Sequence, residues 1–428
     1  MSAPLSRTEL LAERIAGLAF DSSGWLGAAR GAALARLHGM GLPTRRDEYW
    51  RYTDPTSLNL AQALPASLLD PGDHAPIFNA IDRLRIVFVD GVFDAAASDS
   101  LAMEGVSIER LAGPAPDAAH WARDLYGVLE TRGQTPVPRP LAALNTAFAT
   151  DGVLIRVTGR PSRPISLIYE HKSMNSDAIL HHCIRIESGA EVTILENGPA
   201  AARFSKVMEV EICAGGSFHH VRTQGRDLER RATTHLFARL GANAHFKSFT
   251  VTANGRLTRN DAVIELAGPD AVAHIAGASV GDGDLHHDDT VFITHAAERC
   301  ESRQVFKKVL KNGAVGVFQG KILVKPGAQK TDGYQKSQAL LLDEASQFLA
   351  KPELEIYADD VKCSHGSTTG AIDETALYYL RSRGVPLKEA QSLMVLAFLA
   401  EAIEEIDDEA IAEDVRERLR SWLSRHWG

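Results

Sequence analysis

The sequence predicts a mainly β protein with flanking α structure, a parallel β-helix core between helical regions at the two ends of the chain. Three observations lead there. From Gly152 onward apolar residues alternate with others at strand spacing, as in Val153, Ile155 and Val157. The glycine-bearing turns Gly189-Ala190, Gly215-Gly216, Gly241-Ala242 and Gly268-Pro269 fall 26, 26 and 27 residues apart. On either side of this stretch the apolar period is that of a helix.

A fixed period in this range marks a stacked repeat, in which each unit covers the apolar face of the next. Strand-type residues between the glycines make the repeat a coil of a parallel β-helix, favoured over an antiparallel sandwich with turns at chance spacing. After residue 270 the register weakens, although Gly313-Ala314 and Gly327-Ala328 resemble the same turn.

The opening segment reads as helical, with Leu10, Leu11, Ile15 and Leu18 at helical spacing. A second helix follows Ser22-Ser23-Gly24 and ends near Gly39 or Gly41. Next comes a basic, acidic and aromatic cluster from Gly41-Leu42-Pro43 to Tyr52-Thr53. Ile86-Val87-Phe88-Val89 is an apolar strand, and further helices are expected around Trp121 to Leu129 and Leu141 to Phe148. Near residue 371 the helical period returns. Asp373 can cap a helix ended by Gly384, Pro386 suits the first turn of the next, and a last amphipathic helix carries Ile411, Val415, Leu419, Trp422 and Leu423. Three regions result: a mainly helical 1–151, a β-helix over 152–370 and a helical 371–428.

The chain has 428 residues, 45% of them hydrophobic and 24% charged, which is ample for a buried core. A formal charge of −9 argues against a protein devoted to gripping phosphate backbones. No apolar run is long enough to span a bilayer, and Met1-Ser2-Ala3-Pro4-Leu5 lacks the apolar stretch of a signal peptide, so a cytoplasmic location is expected. The cysteines Cys183, Cys213, Cys300 and Cys363 form no C-x-x-C pair, which excludes a zinc ribbon or ferredoxin-type motif.

Gly316-Val317-Phe318-Gln319-Gly320-Lys321-Ile322 is not a phosphate loop: the glycines are too close, and Ile322 stands where Mg²⁺ needs Ser or Thr. His181-His182-Cys183, His219-His220 and His286-His287-Asp288-Asp289 look like metal clusters on paper. On a strand, however, neighbours point to opposite faces, so each doublet offers one ligand per face. In Asp359-Asp360-Val361-Lys362-Cys363-Ser364-His365-Gly366, Cys363 and His365 project on one face if the segment is a strand. Thiolate and imidazole are both competent iron ligands, but two are too few for a cluster. From spacing alone, a buried Cys363 and a capping His365 at a strand end is the favoured reading.

The block from Phe306 to Gly384 resembles the C-terminal core of the SufB/SufD family. The matching phrases include Gly316 to Ile322, Ala328-Gln329-Lys330-Thr331-Asp332, Leu340-Leu341-Leu342, Lys351-Pro352-Glu353-Leu354-Glu355-Ile356, Ala358 to Gly366 and Leu380-Arg381-Ser382-Arg383-Gly384. The Gly41 to Thr53 cluster resembles the family's N-terminal motif. Within the family the SufD side fits better. An acidic residue stands in SufB where His365 stands here, and SufB carries its scaffold cysteine in the segment matching Gln335-Lys336-Ser337.

The resemblance implies a right-handed β-helix and a scaffold subunit for iron–sulfur cluster assembly without turnover of its own. It implies a heterodimer with SufB through the β-helix cores, and the ATPase SufC docked on the helices of 371–428. His365 would be a metal ligand or iron-entry group at the SufB interface, with Cys363 secondary, for a transient cluster or iron shared with SufB. Neutral imidazole is the form that binds metal, so loading should weaken at acidic pH. A reduced flavin in the complex and self-pairing without SufB are left open. The alternatives are a SufB-like homodimeric scaffold, which Lys336 opposes, and a stand-alone β-helix enzyme acting on polysaccharide, whose nearest paired acids are Asp359-Asp360.

Overall fold

The computed structural model describes residues 6–68, 77–114, 120–198, 200–225 and 227–426; Met1 to Leu5, which entered the signal-peptide argument, lie outside them. The core is a solenoid of two facing sheets, and the chain crosses from one to the other at each half-coil. The first sheet runs from Leu84–Val89 through Ile165–Glu170, Glu191–Asn197, Ser217–Gln224, His245–Ala253, Val272–Asp282, Glu301–Lys311 and Thr331–Leu341 to Val361–Gly370. The second runs from Val153–Val157 through Asp177–Ile186, Arg203–Ile212, Arg231–Leu240, Leu257–Leu266, His286–His295 and Val315–Val324 to Gln347–Ile356. All these neighbours pair in parallel. Antiparallel additions, Val92–Phe93 and Val106–Arg110, close the first coil.

Equivalent residues one coil apart are 26 apart at Asp177 and Arg203, 29 at Arg259 and Asp288 and 30 at Ser337 and Ser367. The coils therefore lengthen toward the C-terminus, which is why the early spacing does not extend past residue 270. At one corner of each coil a single residue is left-handed: Gly189 (φ 72°), Gly215 (67°), Asn243 (54°), Asp270 (58°), Arg299 (56°) and Lys330 (59°). Its N–H donates to a carbonyl one coil on: Gly189 to Ala214, Gly215 to Ala242, Asn243 to Pro269, Asp270 to Glu298, Arg299 to Gln329 and Lys330 to Asp360. Glycine fills this position in only two of these coils. Gly268 serves otherwise: a Cβ there would stand 2.1 Å from the Ala242 nitrogen, so its absence lets the coils stack.

Alternate residues of each strand fill the lumen, among them Ile184, Ile194, Met208, Phe218, Phe246, Ile264, Phe306 and Phe318. Each such side chain contributes roughly 1.5–3 kcal/mol by burial. The outer face of the second sheet is covered by the N-terminal helices Gly27–Met40 and Pro140–Phe148, with Leu37, Leu141 and Leu144 against Ile179, Val207 and Phe237. The outer face of the first sheet carries Leu387–Ile403 and Glu409–His426, with Val395, Leu399 and Leu419 among the residues buried with Val221, Phe249 and Val305.

The helix expected over Trp121 to Leu129 is two pieces, a turn at Trp121–Asp124 and a helix at Val128–Arg132. Gly127, left-handed at φ 74°, breaks it, and its N–H is held by Glu209 of the sheet. Asp373 caps Glu374–Ser382 as expected, accepting from the Thr375 and Ala376 amides, and Gly384 is left-handed after that helix. Among the described residues no helix is long and apolar enough to cross a membrane.

Candidate functional site

Among the described residues, no further strand pairs beyond the last coil of the solenoid. Val361–Gly370 pairs only with Thr331–Leu341 within its sheet and is the terminal strand there. Every residue from Ser364 to Gly370 is exposed. Its register sets Cys363 beside Gly333 and His365 beside Gln335. Gln335 is 1% exposed and faces the lumen, so Cys363 and His365 share the lumen side of the final coil. The structure thus brings the two together on one face of a strand.

Their surroundings differ. Cys363 packs with Ile322, Leu354 and Val361, and burial pushes its thiol up from the ordinary value. A thiol kept protonated is a poor metal ligand. His365 is exposed and makes no side-chain hydrogen bond among the described residues. Asp359 and Asp360 do not form a paired-acid groove; they lie in the turn before this strand, where the Asp360 carbonyl accepts the Lys330 N–H and the Asp360 N–H donates to Gln329 Oε1 at 2.8 Å.

Deeper in the lumen lies a polar column that sequence reasoning missed. Lys206 is hydrogen-bonded to both oxygens of Glu196, and His220 Nε2 lies 2.9 Å from the same carboxylate. The Tyr169 hydroxyl joins His182 at 3.1 Å and Glu196 at 3.2 Å. Burial opposes the charge on Glu196, yet Lys206, His220 and Arg222 hold its carboxyl well below the usual range. Burial lowers Lys206 to about 8, against the pull of Glu196. Arg222 continues to Asn260 at 2.9 Å, and Asn260 donates to Asp289, which pairs with Lys308. A cavity of about 30 Å³ beside Arg222, Asn260 and Asp289 has room for a water molecule. The signal was present in the alternation: Glu196, Lys206 and His220 each stand two residues along a strand from an apolar lumen residue, Ile194, Met208 and Phe218.

The histidine doublets divide between faces. His182, His220 and His287 point inward, to Tyr169, Glu196 and the Asn254 carbonyl. His181 and His286 point outward, to Glu209 and Thr53. Among the described residues, one group could supply three metal-ligating atoms within 4.8 Å of one another: His181, Cys183 and Glu209. It is sealed between the second sheet and the helix Val128–Arg132. The Glu209 carboxylate already accepts from the Gly127 and Glu130 amides at 2.6 and 2.8 Å, and from His181 at 2.9 Å. Burial and Glu209 push the Cys183 thiol well above its ordinary value. These bonds fix the helix to the sheet.

Lys336 points outward, away from the lumen, and pairs with Glu401 at 2.6 Å. Glu374–Ser382 buries none of its residues, and Tyr378 and Tyr379 are 74% and 56% exposed.

These features define a class: a parallel β-solenoid with helices at both ends of the chain and an exposed terminal strand. The chain belongs to the SufBD family. The family description "SUF system FeS cluster assembly, SufBD core domain" matches residues 169–398, and "SufBD protein N-terminal region" matches 1–162. The chain is 28% identical over 401 residues to the iron–sulfur cluster assembly protein SufD of Escherichia coli (strain K12), covering 90% of each. It is 29% identical to SufD of Bacillus subtilis (strain 168) over 286 residues, 64% of this chain and 65% of that one. It is 26% identical to a SufBD family protein of Synechocystis over 408 residues, 88% and 86% of the two chains. The chain is therefore SufD-like, an iron–sulfur assembly protein built on a parallel β-helix. The flavin expectation gains no support from these likenesses.

Proposed function

We propose that this chain is the SufD-type half of a heterodimeric assembly scaffold and that its open end meets a SufB partner. The observation that carries this reading is the terminal coil. Val361–Gly370 offers an unpaired strand edge, and an unpaired edge invites another chain. His365 lies on the lumen side of that edge, where it would face the partner. One imidazole is too little to hold iron, so the remaining ligands come from the partner, and the cluster or iron is shared cargo. Cys363, half-buried among apolar side chains, is the secondary residue of the pair.

In this reading SufC docks on the helices after residue 371. Tyr378 and Tyr379, with Leu387 at 42% and Leu393 at 46% exposure, form the apolar surface that suits it. ATP hydrolysis belongs to SufC, and the present chain turns over no substrate.

The test is affinity purification of the tagged chain from its own cells, followed by identification of partners by mass spectrometry. A SufB-like chain and a SufC-like ATPase are expected. His365→Ala should preserve that complex and abolish cluster assembly, whereas Cys363→Ala should leave assembly within a few-fold of the parent. Recovery of the chain alone, under conditions that keep complexes intact, overturns the reading.

A further inference from the structure

Two glutamines stack in register beneath His365. Gln304 pairs with Gln335, and Gln335 pairs with His365. Gln304 and Gln335 are 0% and 1% exposed, and neither the oxygen nor the nitrogen of either carboxamide has a hydrogen-bond partner. Buried polar groups are nearly always satisfied, so a wholly unpartnered amide marks a place where a partner arrives. For Gln335 the fold has made room on the opposite wall: a Cβ on Gly320 would stand 2.0 Å from its Nε2.

The position has a chemical consequence. In-register neighbours on adjacent strands lie about 4.8 Å apart, within side-chain reach. A histidine that binds metal through one ring nitrogen donates the N–H of the other to an oxygen, which fixes tautomer and ring orientation. The remaining side chains around His365 on this face already have partners. The Cys363 sulfur is packed among Ile322 and Leu354, and the Ser337 and Ser367 hydroxyls are bonded to each other at 2.6 Å. We infer that Gln335 is a positioning residue for His365, its carboxamide oxygen receiving the imidazole N–H when the other ring nitrogen takes a divalent metal. This rests on the reading of His365 as a ligand. Gln304, one coil deeper, has the same orphaned amide but no register contact with His365.

Co²⁺ is the probe, a spectroscopic substitute for ferrous iron, titrated into the complex co-purified with its SufB partner and followed by ligand-field absorption. Gln335→Met keeps the volume and removes the acceptor, and should weaken Co²⁺ binding about 10–100-fold. Gln335→Glu should return the affinity to within several-fold of the parent. His365→Ala with Gln335→Met should bind no more weakly than His365→Ala alone. Gln304→Met is the control for a general effect of lumen amides and should bind as the parent does. Parent-like binding by Gln335→Met, with binding lost in His365→Ala, overturns the positioning role and leaves the ligand reading intact. An equal loss in Gln304→Met also overturns it, as a packing effect. Parent-like binding by His365→Ala removes the ligand reading itself, and this inference with it.

Discussion

Lys336 Nζ lies 2.6 Å from one carboxylate oxygen of Glu401, and Lys307 Nζ lies 2.6 Å from the other. One glutamate on the helix Leu387–Ile403 thereby ties two successive coils to the C-terminal helices. His274 with Glu405 at 3.0 Å and Lys247 with Asp407 at 2.6 Å extend the seam along the same face.

The seam is unequal. Lys307 is 6% exposed and Lys336 26%. Lys336→Met should therefore cost roughly 0–1 kcal/mol, as for a surface pair. Glu401→Gln removes the counter-charge of the buried Lys307 ammonium, leaving it Gln338 and the Phe398 ring, and should cost about 1–3 kcal/mol. Urea unfolding of the two variants measures the difference.

Lys206 and Glu196 are each 1% exposed. Lys206→Met takes away the cation hydrogen-bonded to both carboxylate oxygens, leaving His220, Tyr169 and the charge of Arg222, and should destabilise by about 3–5 kcal/mol. Adding Glu196→Gln should recover part of that loss, because the buried carboxylate charge that Lys206 had matched is then gone. Equilibrium denaturation of both variants checks this.

Stability should fall as the solution is acidified below neutrality. Burial lowers His182 and His287 to about 3, and His220, His235 and His295 to about 4. These rings titrate near 6.5 when unfolded, so below that pH the unfolded chain binds more protons than the folded one. Their contribution is complete above pH 6.5 and is lost as pH falls toward 4 and then 3. Each adds a slope of up to about 1.4 kcal/mol per pH unit. Denaturant midpoints measured from pH 7 to 4.5 should decline steadily.

The two kinds of turn glycine should respond differently to alanine. A Cβ on Gly189 meets nothing within 4 Å, so Gly189→Ala carries only the left-handed strain, about 1–2 kcal/mol. Gly268→Ala drives a methyl into the backbone of the preceding coil and should cost more than that. Thermal unfolding of the pair ranks them.

How far the sequence could be read follows from these same residues. The coil repeat was legible where glycine occupies the left-handed corner, at Gly189 and Gly215. It held through Asn243 and Asp270 only because Gly241 and Gly268 stand two residues before them, and it faded where Arg299 and Lys330 adopt the same backbone, because no composition rule marks Arg or Lys for it. Opposed faces for His181 and His182 followed from strand geometry alone. The break at Gly127 did not, because it depends on Glu209, far along the chain. Shared placement of Cys363 and His365 was legible as an i, i+2 pair. The unpartnered Gln335 was not, since which coil lies beneath which depends on the length of every intervening loop.

The corner amides have a mechanical meaning. Each reaches only to the carbonyl one coil on, so the wall is a stack of nearest-neighbour joints, and its last joint, Lys330 to Asp360, has nothing above it. Fraying should therefore begin at the strand that bears His365, with hydrogen exchange fastest there and slowing coil by coil toward Ile165–Glu170. A surface that seats on that rim acts as the missing next coil, and tightens the whole column from its loose end.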